Sequence, residues 1–193
     1  MANMVKYTDK QETEVKSTKD SGLAEFAKLH KNNEIDWSII PYIKKASGLK
    51  VFAKGVMCYE DAKLAIANGA DGIHVSNHGA RQLDTTPATI DVLGEVVRAV
   101  KELEKPIPVF FDGGVRKGAD VLKALAIGAD VVFIGRAVLW GLATNGQAGV
   151  ERVVDILNRE LKEAMLATGC MNVEQAKGNK SLIYERPEYI FKL

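Results

Sequence analysis

The 193 residues hold 26 Lys+Arg against 25 Asp+Glu, a formal charge of +1, with 47% hydrophobic and 26% charged residues. That balance excludes a polyanion surface for nucleic acid and a disordered chain, and describes one ordinary cored domain. Cys58 and Cys170 form no metal spacing and point to a reducing, cytoplasmic setting. No apolar run reaches the roughly 18 residues needed to span a bilayer, so no membrane partner is expected. The ending Phe191-Lys192-Leu193 lacks the small first residue of a peroxisomal signal.

Residues 1 to about 20 are polar, without apolar period, and read as a flexible arm preceding a domain over 21–193. Helices are expected from Ser21 to His30 and from Asp36, as N-cap, through Lys45, closed by Ser47-Gly48, with Pro41 fitting only in a first turn. Strands and helices then alternate: strand Lys50 to Lys54, helix Tyr59 to Asn68, strand Gly72 to Ser76, helix Thr89 to Leu103, strand Pro108 to Asp112, helix Gly118 to Ile127, strand Val131 to Gly135 and helix Val150 to Thr168. Alternation of this kind means parallel strands with right-handed crossovers. The continuous apolar strands around Phe110 and Val132 suit burial on both faces.

An internal repeat sharpens this reading. A shift of about 59 positions lays Phe52-Ala53-Lys54-Gly55-Val56 on Phe111-Asp112-Gly113-Gly114-Val115, Asp61 on Asp120, and Gly69-Ala70-Asp71 on Gly128-Ala129-Asp130. Each copy is a βαβ unit. No Gly-x-Gly-x-x-Gly follows a strand, so a barrel fits at least as well as a dinucleotide-binding sheet.

The chemistry gathers at strand ends. Ser76-Asn77-His78-Gly79-Ala80-Arg81-Gln82 puts an imidazole, which titrates near neutrality, beside a guanidinium suited to clamping an anion. Asp112-Gly113-Gly114-Val115-Arg116 and Gly135-Arg136 combine glycines that let backbone N–H groups approach an anion, a following helix start, and an arginine. Together they read as a phosphate cradle. His74 is expected to fill the interior of the strand layer, His30 to lie on a helix surface, and Trp37 and Trp140 to serve packing.

These residues resemble the FMN-dependent α-hydroxy-acid oxidases and dehydrogenases, the group of glycolate oxidase, lactate oxidase and flavocytochrome b2; the resemblance runs from about Asp20 to about Gly178. It implies a (β/α)8 TIM barrel with FMN across the carboxyl ends of its strands, and oxidation of an L-2-hydroxy acid of lactate or glycolate type to the 2-oxo acid. On that resemblance His78 is the general base and Arg81 binds the substrate carboxylate. Lys54 lies near the flavin N1 and O2, Ser76 faces the flavin edge, and Asp112 accepts from the ribityl chain or orients His78. Gly114, Arg116, Gly135 and Arg136 hold the FMN phosphate. The Ser76 to Gln82 element separates this family from other phosphate-binding FMN barrels.

A complete (β/α)8 barrel takes roughly 250 residues, and only four strands are legible here, matching strands 5 to 8 of the family. The chain therefore reads as a carboxyl-terminal half barrel that needs its missing N-terminal half or pairs as a homo-oligomer. The alternative is a non-catalytic half-barrel module that binds flavin phosphate or only a partner chain.

Overall fold

Pro41 decides where the first helix begins. The computed structural model describes residues 35–184, so the arm and the helix expected over Ser21 to His30 lie outside the described residues. Helix α1 spans Ile39–Ser47, with Ser38 at its N-cap instead of Asp36. Starting there puts Pro41 in the first turn, where no backbone donor is required; an Asp36 cap would put it a turn deeper, where one is. Gly48 closes the helix in the left-handed region (φ 68°), its N–H donating to Lys44 O.

The alternation that follows is β1 (Phe52–Val56), α2 (Tyr59–Ala67), β2 (Gly72–Val75), α3 (Thr89–Lys101), β3 (Val109–Phe111), α4 (Gly118–Ile127) and β4 (Val131–Val132). A long helix α5 (Arg136–Ala167) and a short α6 (Val173–Ala176) complete the order, with single 3-10 turns at His78–Ala80 and Lys180–Leu182. The four strands form one parallel sheet in the order β1-β2-β3-β4. This is an α/β fold, with neighbouring strands joined by helical crossovers.

Because strand side chains alternate, the sheet has two distinct faces. Ile73, Val75, Val109 and Phe111 point to one and are buried with Leu93, Val96, Val97 and Val100 of α3 and Ala124 and Ile127 of α4. The other face is aromatic. Phe52 stacks on Phe110 at 4.5 Å, and Phe133 lies 5.3 Å from Phe110 and 5.0 Å from His74. Gly72 is required here, since a Cβ would run into the Phe52 ring. Phe110 is only half-buried, and Phe133 and Val131 remain 40% and 41% exposed, so the expected burial on both faces is complete on the helix-covered face and partial on the aromatic one.

The repeat is real but its register is not uniform. The Asp71 carboxylate accepts from Val51 N at 2.8 Å, and that of Asp130 accepts from Val109 N at 2.7 Å. Each aspartate's own amide donates back to the same valine's carbonyl, and Lys44 or Lys177 pairs with its second oxygen. Val51 and Val109 are 58 positions apart, the aspartates 59. The extra residue lies in the turn after β3, where Gly113-Gly114 replaces the single bulged Gly55. Phe52 therefore matches Phe110, and Lys54 matches Asp112.

Helix α5 begins 14 residues before the Val150 expected from sequence, and it is broken at Asn145 and Gly146, the latter at φ 56°. Across the break the backbones of Gly141 and Gly149 touch, and a Cβ on either would meet the other's carbonyl. Glycines placed for that approach mask the helical pattern of residues 136–149. Among the described residues no helix is long and apolar enough to cross a membrane.

Candidate functional site

Parallel strands bring their carboxyl ends to one edge of the sheet, and the candidate residues meet there. A cleft of about 690 Å³ is lined by Lys54, His78, Arg81, Asp112, Gly114, Arg116, Gly135 and Arg136, with Phe133, Trp140 and Leu157 among its apolar walls. Ser76 lies beside it, on a smaller adjoining cavity shared with Lys54 and His78. Trp140 is 68% exposed on the cleft wall, so its expected packing role within the core does not hold; Trp37 does pack against the core.

Ser76, only 1% exposed, ties three strand ends together. Its Oγ donates to Asp112 Oδ1 at 2.6 Å and accepts from Lys54 Nζ at 2.9 Å and from His78 N at 3.1 Å. One donor and two lone pairs are thus all used. Lys54 Nζ also lies 3.5 Å from Asp112 Oδ2. Asp112 is engaged by Ser76, Lys54 and His74, whose Nε2 is 3.1 Å from Oδ2. His74 is thereby part of the site's support, a role its strand pattern did not announce. Burial holds the His74 imidazole below its usual pKa, with Lys54 acting in the same sense and Asp112 against it.

The loop after β2 is tightly wound. His78, Gly79 and Ala80 have φ of 56°, 66° and 59°, three successive left-handed residues of which two have a Cβ. Asn77 compensates: its Oδ1 accepts from Gly79 N at 3.0 Å, its Nδ2 donates to Pro87 O, and its carbonyl accepts from Ala80 N. Arg136 Nη2 donates to Gly79 O at 3.3 Å, linking the start of α5 to this loop. Backbone strain held in place this way is a mark of functional loops.

The two glycine-arginine ends differ in a way sequence did not reveal. At the start of α4, Asp120 accepts from Arg116 N and Lys117 N, and Glu160 from Gly118 N, so carboxylates already occupy that helix terminus. The start of α5 has no side-chain cap. Space stands open where a Cβ on Gly114 or Gly135 would be. Among the described residues no carboxylate pairs with the guanidinium groups of Arg81, Arg116 or Arg136. Arg81, Arg116, Arg136 and the uncapped start of α5 share one cleft, an arrangement suited in charge to anions.

Comparison with known proteins gives the family. The family model described as FMN-dependent dehydrogenase matches residues 1–183. The chain is 48% identical over 174 residues to 2-hydroxyacid oxidase 1 of Homo sapiens, covering 90% of this chain and 46% of that protein. With glycolate oxidase 3 of Arabidopsis thaliana it shares 44% over 177 residues, 91% of this chain and 47% of that protein. It therefore spans about half the length of the curated relatives it matches. Among solved structures, a mandelate oxidase superposes with a TM-score of 0.74 at 39% identity, covering 81% of this chain and 45% of that one. A mandelate oxidase mutant with a monooxide FMN adduct gives 0.70 at 43% identity, with coverages of 75% and 45%. With the model matched across almost the whole sequence and the strand-end cluster in place, the chain belongs to the FMN-dependent dehydrogenase family.

Proposed function

We propose that this chain forms the carboxyl-terminal half of a (β/α)8 flavoprotein oxidising an L-2-hydroxy acid, of lactate or glycolate type, to the 2-oxo acid. One observation supports this reading above the rest: His78 and Arg81, whose guanidinium pairs with no carboxylate among the described residues, line the same cleft as Lys54 and the two glycine-arginine ends. The residues fit FMN. Gly114 and Gly135 leave room for a phosphate, Arg116 and Arg136 would supply charge for it, and Lys54, on the same cleft, would stand by the flavin N1 and O2. FMN, when bound, supplies the two-electron acceptor.

Arg81 pairs with the substrate carboxylate and orients the α-carbon. His78 accepts the hydroxyl proton on an imidazole nitrogen, while the α-hydrogen leaves with two electrons, giving the carbonyl. Lys54, held by Ser76 and Asp112, offers positive charge where negative charge accumulates. Ser76 keeps this ammonium and the His78 backbone in register.

The exposed aromatic face and the two open sheet edges support a requirement for four more strands, from an N-terminal half or a second copy. The free cysteines Cys58 and Cys170 are in keeping with a reducing setting, of which the cytoplasm is one.

The test is an absorbance spectrum with FMN, taken of the chain alone and co-purified with the first half of a relative, before and after anaerobic L-lactate or glycolate. Bound flavin that bleaches supports the reading. Bound flavin inert to every hydroxy acid favours a non-catalytic module, and no flavin even with the added half overturns the proposal.

A further inference from the structure

At the level of the sheet where Phe52, Phe110 and Phe133 form the aromatic face, the fourth ring is an imidazole. His74 is 9% exposed, stacked on Phe133 (5.0 Å, 29°) and edge-on to Phe110 (6.0 Å, 79°). A phenyl ring would fill this space equally well. What histidine adds is a polar atom: Nε2 is buried and lies 3.1 Å from Asp112 Oδ2, close enough for an electrostatic contact but off the line of a hydrogen bond, and no other described group serves it. An unsatisfied buried nitrogen is costly, so its placement at this carboxylate calls for a reason.

Asp112 supplies that reason. Its Oδ1 accepts from Ser76, and its Oδ2 faces both Lys54 and His74. We infer that His74 is a positioning residue: lying against Asp112 Oδ2, it keeps the carboxylate turned so that Oδ1 stays on Ser76 and its charge stays opposite Lys54. It acts through Asp112 and does not line the cleft. The charged groups facing it are Lys54 from β1 and Asp112 from the end of β3; the β4 side presents Phe133. Burial favours the neutral ring, so its contact with Asp112 Oδ2 is one of packing and partial charge. The inference deepens the proposed function, yet its first test needs no flavin.

The chain has three histidines, so their ring-proton NMR titrations are assignable by single His→Gln changes. In the full chain, Asp112→Asn should move the His74 midpoint down and Lys54→Met should move it up. A His74 midpoint unmoved by both substitutions, in variants that keep the wild-type circular dichroism, overturns the contact. Its loss there would leave the flavin assignment standing, and a chain that binds no FMN would leave this titration readable. The positioning role itself is read in the flavin-binding assembly. His74→Phe, which keeps the stack, should weaken FMN binding about tenfold, in line with the loss of a supporting partner, and His74→Gln should recover most of it. Wild-type affinity in His74→Phe, or no recovery in His74→Gln, overturns the role.

Discussion

A single hydroxyl, Ser76 Oγ, sits between Lys54, Asp112 and the backbone of His78, so the strand ends are fixed to one another before any ligand arrives. On that frame the roles of individual side chains separate experimentally. His78→Ala in an active assembly should reduce kcat by about 10²- to 10⁴-fold, the span of general base catalysis, while the flavin spectrum is kept. Arg81→Lys should chiefly raise KM, because a point charge cannot reproduce the planar fork. Steady-state kinetics of the two variants checks both. His74 adds a stability prediction with a defined sign. Its pKa in the fold lies below the ordinary 6.5, so between the two values the unfolded chain binds the proton and the folded chain does not. Stability should therefore fall as pH drops below about 6.5, and His74→Phe should flatten that part of a melting-temperature profile. The residue types at strand ends were legible because histidine, arginine and paired glycines are unusual beside apolar runs. His74 was not, because inward alternation in a strand is the same for a filler ring and for a ring that meets a carboxylate.

The elements followed from pattern, and their departures have local causes. Helices α2 and α4 match expectation almost to the residue, since periodicity and flanking glycines agree. The start of α1 moved because Pro41 is tolerated only within a first turn, which an Asp36 cap would not give it, and the first half of α5 was hidden by Gly141, Gly146 and Gly149. The proposed phosphate cradle was half legible: its glycines and arginines share one cleft, but Asp120 and Glu160 close the α4 terminus. Nothing in a linear reading brings Glu160 back to Gly118. The repeat also carries a testable symmetry. Asp71 and Asp130 each clamp the valine that precedes or opens the neighbouring strand, and each has a lysine on its second oxygen. Hydrogen bonding by Val51 N, with help from Lys44, holds Asp71 below the usual carboxylate pKa. Asp71→Ala and Asp130→Ala should each cost on the order of 1 to 3 kcal/mol by leaving a strand amide unpaired. Denaturant unfolding should give similar losses for both. A loss confined to one aspartate would show that the two βαβ units are alike in sequence only.

For the whole molecule, the decisive fact is that one sheet face is buried under helices while the other presents aromatic rings partly to solvent. A sheet of four parallel strands has two open edges, and among the described residues those edges are β1 and β4, each paired on one side only. Parallel sheets are normally covered on both faces, and bare edges invite pairing. In a closed barrel the same rings would be interior filling, and the cleft would gain walls from the added strands. Backbone amides report this directly. In the isolated chain, amides of β4, two residues long with one neighbour, should exchange with solvent fastest among the strands, β1 next, and β2 and β3 slowest. Adding the first half of a relative should slow exchange in β1 and β4 together, because closure pairs both edges at once. Protection of one edge alone would indicate an open, extended sheet, and unchanged exchange at both would mean that the two halves do not form a barrel. In a closed barrel, His78 and Arg81 would face residues of the complementing strands, so protection at β1 and β4 and bleaching by a hydroxy acid should appear at the same stoichiometry.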